Sequence, residues 1–418
     1  MTAPTEHNAY APSDRAISIT PLLKRLWPSP GGSNVTASEI ALAISHIFTN
    51  SLSPVQTGAL LTCLHFTGWD RRADVLAKCA EVMRDTAPPI DKEALDKVIA
   101  AVGRPEGNYK GGLCDIVGTG GDAHNTFNIS TTSSILASSL LLLSKHGNRA
   151  STSKSGSADL LISTLPTAPN LIAVTPDTIN KVYQKSNYAF LFAPVFHPGM
   201  KYVAPIRKEL GWRTIFNLMG PLTNPVECSI EARILGVARR DIGPVFADAL
   251  KMNGSRKAMV VCGEEDLDEI SCAGRTFCWR LIDHSTISSS SSDDVEIQSF
   301  TICAADFGLQ AHELKDVSPG KEPHENAGIL MDLLQNKLPD NDPILEFVLM
   351  NTAALFVVSG ICDADTSDMG HGDDGKVITE RGPGGGRWKE GVRRARWAIK
   401  SGEAYRQWRQ FVDVSNSF

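Results

Sequence analysis

The segment LCDIVGTGGDAHNTFNIST, residues 113–131, joins a short apolar run to a glycine-rich turn and the start of a helix. Strand, turn and helix in this order are typical of α/β folds with a parallel sheet. The apolar runs YAFLFA at 188–193, ARILGVA at 232–238 and KAMVVCG at 257–263 predict further strands. The sequence therefore predicts an α/β domain with a largely parallel central sheet flanked by helices.

A longer apolar run, ILASSLLLLS, occupies residues 135–144. It is shorter than the roughly 18 to 20 residues that cross a bilayer, so it predicts a buried helix. We therefore expect one helix from Ser130 to Leu143. No apolar run in the sequence approaches that length, and no membrane association is expected.

The N-terminal part of the chain shows helical patterns and no strand pattern. Thr36–Glu39 has the spacing of a capping box, and Ser53–Gln56 repeats it with proline at the first helical position. Asp70 is expected to cap a third helix. These signals predict a small all-helical domain over residues 16–88, followed by the larger α/β domain over 89–418.

Three segments interrupt these patterns. Residues 1–15 are expected to form a flexible leader. Five serines at 288–292 indicate a surface insertion near 284–296. The Asp- and Gly-rich stretch 363–386 predicts a second exposed insertion.

Composition limits the classes of protein that fit. The chain has 418 residues, which favours two domains, with 42% hydrophobic and 21% charged residues. A net charge of −6 argues against a basic nucleic-acid-binding surface. Nine cysteines without a CxxC pair are typical of reduced thiols inside a cell. The first residues lack the pattern of a secretory signal, so we expect a cytoplasmic location.

The glycine turn is a candidate anion site. Glycines at 118, 120 and 121 let backbone N–H groups approach an oxygen-rich ligand, and a helix N-terminus follows. Thr126, Asn128, Ser130 and Thr131 supply polar groups there. The spacing is neither a Walker loop nor a GxGxxG motif. A turn without a ligand remains the alternative interpretation.

A second polar segment, KHGNRASTSKSGSAD at residues 145–159, follows the predicted helix. Loops at the carboxyl ends of neighbouring parallel strands share one edge of the sheet, where ligands bind. Lys145 and Arg149 supply positive charge there, and several side chains supply hydrogen-bond donors. Two such loops suit a phosphorylated sugar. The alternative is a solvated loop with capping serines.

The segment GEEDLDE, residues 263–269, contains five acids immediately after a predicted strand. Carboxylates, hydroxyls and phosphate oxygens are the ligands that Mg²⁺ prefers. Acidic pairs on a turn are usually only solvated, and that interpretation stays open for Asp268 and Glu269.

The motifs GTGGD, NIST and KHGNRASTSKSGSAD together resemble those of the anthranilate phosphoribosyltransferase family. The resemblance extends to LFAPVFHPGMKYVAPIRKELGWRTIFNLMGPLTNP at residues 191–225 and to DLDE at 266–269. It covers roughly residues 20–280 and, more weakly, the C-terminal tail. The resemblance implies that residues of about 200–218 join the N-terminal helices in one domain.

The resemblance also implies an activity. The family transfers the phosphoribosyl group of 5-phospho-α-D-ribose 1-diphosphate (PRPP) to the amine of anthranilate, in tryptophan biosynthesis. A Mg²⁺-dependent pentosyltransferase is thus expected, with two ions and no covalent nucleophile. Family members pair through the helical domain, so a homodimer is expected.

Site residues follow from the same resemblance. It implies that Arg207, Asp268 and Glu269 are the catalytic residues and that Ser130, Asp268 and Glu269 are the metal ligands. The residues expected to bind anthranilate are Gly118, Asn148, His197, Arg207 and Pro221. The residues expected to bind PRPP are Gly118, Gly121, Asp122, Thr126, Asn128, Ile129, Ser130, Thr131, Lys145, His146, Gly147, Asn148, Arg149, Ala150, Ser151, Thr152, Ser153 and Ser157.

Several alternatives remain at this point. Arg207 lies on a predicted helix, where most arginines only solvate a face, and His197 suits a hydrogen-bonded loop histidine equally well. A nucleoside phosphorylase shares the fold, but the Asp268–Glu269 pair argues against it. A nucleic-acid-binding relative without catalysis would need a basic groove, which the negative net charge disfavours.

Overall fold

The computed structural model describes residues 17–27, 34–150, 154–284, 294–318 and 320–418. These residues form two compact units. The helical unit contains the described residues up to Pro88 together with His197–Thr223. The α/β unit contains Pro89–Phe196 and Asn224–Phe418. The expected leader at 1–15 and most of the serine-rich insertion lie outside the described residues.

The helical unit consists of short helices around a core of aliphatic side chains. Thr36 and Glu39 form the predicted capping box at the start of one helix, and Ser53 caps the next. Within the described residues its α-helices are α1 Thr20–Leu26, α2 Ala37–Phe48, α3 Pro54–Thr67, α4 Ala73–Asp85, α10 Ala204–Leu210 and α11 Ile215–Met219.

A seven-stranded sheet, counted over the described residues, organises the α/β unit. Its order is β3-β2-β1-β4-β5-β6-β7, parallel from β3 to β5 and antiparallel at β6 and β7. The strands are β1 Leu113–Gly118, β2 Leu142–Gly147, β3 Tyr188–Phe192, β4 Ile230–Gly236, β5 Lys257–Gly263, β6 Thr276–Asp283 and β7 Val295–Ile302. The predicted fold class, a helical domain with a larger and mostly parallel α/β domain, is confirmed.

Helices complete the α/β unit. The α-helices described there are α5 Lys92–Val102, α6 Ile129–Ala137, α7 Ser157–Ile162, α8 Ile179–Tyr183, α9 Ala193–Phe196, α12 Gly243–Met252, α13 Leu314–Val317, α14 Pro323–Leu334, α15 Pro343–Ser359, α16 Trp388–Lys400 and α17 Glu403–Ser415. Parallel strands need cover on both faces, because their side chains are apolar on both sides. Helix α15 is buried from Leu345 to Ser359, which places it in the centre of this core.

The predicted helix from Ser130 to Leu143 is wrong in its second half. Helix α6 ends at Ala137, and β2 begins at Leu142. The leucines at 140–143 fit a strand that is buried on both faces, because such a strand shows no alternation. Periodicity alone does not separate that strand from a buried helix.

Two predicted helix caps also differ in detail. Asp70 lies in a 3-10 turn and does not cap α4, which begins after Arg72. Its buried carboxylate instead contacts His65 Nδ1 at 3.1 Å. The Gln56 side chain does not close a capping box, because its Oε1 accepts a hydrogen bond from the Ile19 N–H.

The Asp- and Gly-rich stretch 363–386 is largely exposed but anchored. Met369 is buried, and Asp373 accepts hydrogen bonds from Arg393 and from the backbone of Met369. Within the described residues, no helix is long and apolar enough to cross a membrane.

Candidate functional site

The glycine turn after β1 contacts the acidic segment directly. The Gly120 N–H donates a 2.6 Å hydrogen bond to Asp268 Oδ2. A Cβ atom at Gly118 would collide with the same carboxylate, and one at Gly236 would collide with the Asp268 backbone carbonyl. Glycine at both positions therefore permits the close approach of the acidic segment to the strand ends of β1 and β4.

Helix α6 begins at this turn, and its first residues bind the neighbouring loop. The Asn128 Nδ2 donates to the Ser155 carbonyl oxygen at 2.9 Å, and the Ser155 hydroxyl donates to Asn128 Oδ1 at 3.1 Å. The Thr131 hydroxyl donates to Ser157 Oγ at 2.9 Å. These bonds join the loops that follow β1 and β2, so the two predicted polar segments form one cluster. Ile129, between them, is buried.

Lys145 lies near the end of β2 with its side chain buried in this cluster. Its Nζ donates to the Ile116 carbonyl oxygen at 2.7 Å and to Ser130 Oγ at 3.4 Å. Burial lowers the pKa of the Lys145 amine, while the Asp115, Glu269 and Asp268 carboxylates oppose that shift. A buried cation beside the start of α6 gives the cluster a site for anionic oxygens.

The end of β2 continues into a loop that Asp159 holds. The Ala150 N–H donates to Asp159 Oδ2 at 2.7 Å, and the Gly156 N–H donates to the same oxygen at 3.2 Å. One carboxylate thus ties both ends of the segment that contains Ser151 to Ser153, residues that lie outside those described. Sequence reasoning did not select Asp159, although its place as the third residue of α7 is a capping signal.

The remaining predicted residues of this loop differ in exposure. His146 is buried, and a Cβ atom at Gly147 would collide with the Phe190 ring. Asn148 and Arg149 are exposed, and the Arg149 guanidinium lies 3.8 Å from Asp159 Oδ1. The side chains of Asn148 and Arg149 are therefore accessible to a ligand that binds at the cluster.

The acidic pair is half-buried and carries unusual electrostatics. Burial, together with repulsion from the Asp122 carboxylate, raises the pKa of Asp268 to about 7. Burial also raises the pKa of Glu269, with added repulsion from Asp268 and Asp122. Glu269 Oε2 accepts from the Thr126 hydroxyl at 3.5 Å. Three neighbouring carboxylates partly removed from water favour a bound cation, because it relieves both their repulsion and their desolvation.

The donor set suits Mg²⁺. No group of three or more His, Cys, Asp or Glu side chains with metal-binding geometry occurs in the described part of the chain. The available ligands are two adjacent carboxylates, Asp268 and Glu269, with the Ser130 hydroxyl on the facing helix end. Mg²⁺ typically uses one or two carboxylates and completes its shell with water and substrate phosphate oxygens. The residues present fit that pattern.

A second buried network lies below the cluster in the sheet. Asp115, on β1, is 1% exposed and accepts from Asn224 Nδ2 at 3.0 Å. Asn224 Nδ2 also donates to the Ser144 carbonyl oxygen at 2.9 Å. Burial raises the pKa of Asp115, and the Arg233 and Lys145 charges oppose that shift. Sequence reasoning missed this network, because a polar residue within an apolar strand gives no indication of its partners.

The helical unit contains three of the residues expected to bind the acceptor, Arg207, His197 and Pro221, whereas Gly118 and Asn148 belong to the α/β unit. Arg207 lies on α10 and is half-buried, with its guanidinium 5.7 Å from the centre of the Phe216 ring. Burial and the neighbouring Arg213 lower the pKa of Arg207. No acid of the described residues lies within ion-pair distance of Arg207, so its fork of donors suits a carboxylate ligand.

His197 and Pro221 are buried in the same unit. The His197 Nε2 donates to the Thr223 carbonyl oxygen at 2.9 Å. Burial, with a smaller effect of the Arg84 charge, lowers the pKa of His197 to about 4. His197 is thus a neutral histidine that connects the two ends of the segment 197–223. Pro221 lies in the 3-10 turn Gly220–Leu222.

Two family models match the chain. The helical bundle domain of a glycosyl transferase family matches residues 20–87, and the a/b domain of a glycosyl transferase family matches residues 110–405.

Curated relatives share one name. The anthranilate phosphoribosyltransferase of Schizosaccharomyces pombe is 40% identical over 374 residues, covering 89% of this chain and 91% of that protein. The anthranilate phosphoribosyltransferase of Saccharomyces cerevisiae is 36% identical over 370 residues, covering 87% of this chain and 86% of that protein.

Solved structures agree with these relatives. The S. cerevisiae anthranilate phosphoribosyltransferase in complex with PRPP and Mg has a TM-score of 0.75 and 31% identity, over 95% of this chain and 97% of that chain. The same protein in complex with 4-fluoroanthranilate has a TM-score of 0.74 and 31% identity, with the same coverage. The anthranilate phosphoribosyltransferase of Thermus thermophilus has a TM-score of 0.69 and 29% identity, over 91% and 96% of the two chains.

Proposed function

This chain belongs to the anthranilate phosphoribosyltransferase family, and from that premise we propose that it transfers the phosphoribosyl group of PRPP to the amine of anthranilate. The products are N-(5-phosphoribosyl)anthranilate and pyrophosphate, which places the reaction in tryptophan biosynthesis. The observation that carries the proposal is the half-buried Asp268–Glu269 pair against the glycine turn, with buried Lys145 beside it.

In this proposal, the loop cluster of the α/β unit binds PRPP. The predicted PRPP residues that are described come from the glycine turn, the start of α6, the end of β2 and the start of α7. Backbone N–H groups and Lys145 bind phosphate oxygens, and Asn128, Thr131 and Ser157 hold the two loops together. The rigid cluster fixes the orientation of C1 of the ribose ring.

Magnesium belongs at the acidic pair in this proposal. Asp268, Glu269 and the Ser130 hydroxyl would hold it, and we propose two ions, shared with the diphosphate. A bound ion neutralises charge on the departing pyrophosphate. Support comes from the S. cerevisiae relative, which has been solved with PRPP and Mg bound.

The acceptor carboxylate binds Arg207 in this proposal. A planar guanidinium pairs with a carboxylate through two parallel hydrogen bonds, and this fixes the adjacent amine. Gly118, Asn148, His197 and Pro221 complete the proposed acceptor residues. The neutral state of His197 makes it a positioning group and not an acid.

The chemistry needs no protein nucleophile. The anthranilate nitrogen forms a bond to C1 of the ribose while the C1–O bond to pyrophosphate breaks, and the amine proton then leaves to solvent. Positive charge develops on the ring and negative charge on the leaving group. Positioning and electrostatic stabilisation by the surrounding residues therefore account for catalysis.

We also propose a homodimer formed through the helical unit. Leu42, Val55 and Phe66 are between 58% and 82% exposed there. Large exposed apolar side chains on one unit are typical of protein interfaces.

We propose a cytoplasmic location, which is consistent with nine free cysteines, all among the described residues.

The direct test is an activity assay. Anthranilate fluorescence should fall when PRPP and Mg²⁺ are added, with stoichiometric pyrophosphate release and no turnover in EDTA. The Asp268→Asn, Glu269→Gln double variant should fold and lose nearly all turnover. Phosphate-dependent cleavage of thymidine or uridine, with no consumption of anthranilate, would reassign the chain to nucleoside phosphorylases.

A further inference from the structure

Asn351, on α15, makes a paired contact with the backbone that follows the acidic pair. Its side chain is 2% exposed. The Ile270 N–H donates to Asn351 Oδ1 at 3.0 Å, and Asn351 Nδ2 donates to the Ile270 carbonyl oxygen at 3.2 Å. Nδ2 also donates to the Phe347 carbonyl oxygen at 3.1 Å. One buried amide therefore satisfies both backbone polar groups of a single residue.

The bonded residue is the one immediately after Glu269. Ile270 is fully buried, so its backbone groups cannot turn to water. Helix α15 is mostly apolar around this point, with Phe347, Val348 and Leu355 all buried. A polar side chain in such a helix is costly unless its hydrogen bonds are made. The hydrogen bonds of the Asn351 amide are directed at backbone, mainly at Ile270.

The acidic segment is held on both sides of the pair. Before it, the Gly263 N–H donates to the Leu267 carbonyl oxygen at 2.8 Å. Within it, Asp268 accepts from Gly120. After it, Asn351 fixes Ile270. With the backbone fixed at these points, the two carboxylates keep one orientation relative to the glycine turn.

We propose that Asn351 is a positioning residue for the Asp268–Glu269 pair, acting through the Ile270 backbone to hold both carboxylates in the orientation that binds Mg²⁺ with PRPP. This inference rests on the proposed function. The Asn351 side chain is buried and bonded to backbone groups, so its proposed role is support and not ligation. It acts as the outer support of the ligand pair, a role in which substitutions usually weaken metal binding.

The chain offers a matched control on the same helix. Thr352 follows Asn351 directly, is fully buried, and its Oγ1 has no hydrogen-bond partner among the described residues. Thr352→Val keeps the side-chain shape and removes only that hydroxyl. A general disturbance of α15 should appear in both variants, whereas a loss of support for Ile270 should appear only at position 351.

The test compares wild type, Asn351→Ala and Thr352→Val by titration calorimetry with PRPP, in Mg²⁺ and in EDTA. Asn351→Ala should weaken PRPP binding in Mg²⁺ by about 10- to 100-fold. Its binding in EDTA should equal that of wild type. Thr352→Val should stay within about twofold of wild type in both buffers. Amide hydrogen exchange of the peptide 264–272 should accelerate in Asn351→Ala alone.

Asn351→Leu provides a second variant if the alanine variant does not fold. Leucine has a similar branched shape but can neither accept from the Ile270 N–H nor donate to the Ile270 carbonyl. Folded Asn351 variants that bind PRPP in Mg²⁺ as tightly as wild type would overturn this inference but not the proposed function. The same holds for variants that lose as much PRPP affinity in EDTA as in Mg²⁺. Wild-type protein without Mg²⁺-dependent PRPP binding would overturn the proposed function and this inference with it.

Discussion

Charges withdrawn from water define the chemistry of this protein. Lys145 is buried, Asp268 and Glu269 are half-buried, and each would be unfavourable alone. Together they form a site in which one amine faces several carboxylates. In the proposed complex, Mg²⁺ would neutralise the carboxylates and the diphosphate would neutralise the amine. Burial thus raises the strength of every interaction the site makes with its ligand.

Arg207 gives a prediction at this scale. Arg207→Ala should raise the KM for anthranilate by about 10- to 100-fold, the effect of losing a charge-assisted hydrogen bond. The KM for PRPP should change by less than about threefold. Steady-state kinetics with each substrate varied in turn give both values.

Lys208→Ala is the control for Arg207, because Lys208 is the next cation on α10 and is exposed. It should leave both KM values unchanged. Equal increases for the two substrates in Arg207→Ala would exclude its role as the carboxylate ligand.

His197 predicts a pH dependence of stability. Its pKa is lowered from 6.5 to about 4 in the folded protein, so between these values the unfolded chain binds more protons. The contribution of His197 to the free energy of unfolding is therefore fully present above pH 6.5. It declines as pH falls towards 4, by up to about 3 kcal/mol. Urea unfolding of wild type and His197→Gln at several pH values measures this difference.

His197→Gln should have a flatter stability profile over that range than wild type. Parallel profiles for the two proteins would show that His197 is not the group that titrates.

The sequence predicted these residues unevenly. The loop residues and the Asp268–Glu269 pair stand in motifs that are contiguous in the chain, so a resemblance could locate them. Asp115, Asp159 and Asn351 act through contacts with other parts of the chain. A single polar residue in an apolar strand or helix does not reveal such a partner.

At the scale of elements, β1, α6 and β2 build the site together. The strands β1 and β2 are parallel neighbours, so their following loops meet at one edge of the sheet. The sequence pattern predicted both loops at that edge, but it predicted a helix for the stretch before the second loop. The predicted position of the second loop did not depend on this error, because the apolar stretch before it was expected to be buried as either a helix or a strand.

The antiparallel strands β6 and β7, at one end of the sheet, were not predicted. Strand β7 alternates buried and exposed side chains weakly, and β6 mixes polar residues with apolar ones. The antiparallel pairing of β6 with β5 and of β7 with β6 depends on contacts between strands. Strand β5, in contrast, is continuous and apolar, and its prediction is confirmed.

The ion network of α16 gives a prediction for an element. Glu390 is fully buried and accepts from Arg394 Nε and Arg393 Nε at 2.8 Å, and from the Ile378 N–H at 2.9 Å. Glu390→Gln leaves buried Arg394 with less compensating charge. We expect a loss of about 3 to 5 kcal/mol in the free energy of unfolding, measured with urea.

Glu93→Gln is the matched control, because Glu93 pairs with Lys97 on the exposed face of α5. Its effect should be below about 1 kcal/mol. The folded Glu390→Gln protein should keep kcat within about twofold of wild type. Equal losses of unfolding free energy in Glu390→Gln and Glu93→Gln would contradict the conclusion that the buried network anchors the 363–386 stretch.

For the molecule as a whole, the family and the fold class were predictable and are confirmed. Long motifs in a fixed order along the chain carry more information than any single residue. The assignment of the site residues stays a prediction, because it depends on where the ligands bind.

Crystals of the protein with PRPP and Mn²⁺ in place of Mg²⁺ would show where the ion and the sugar bind, because the anomalous signal of manganese locates the ion. We predict an ion bonded to Asp268 or Glu269 and to the diphosphate, with the 5-phosphate and diphosphate bound by the loops after β1 and β2. An ion and a sugar bound at any other place on the protein would contradict the proposed function.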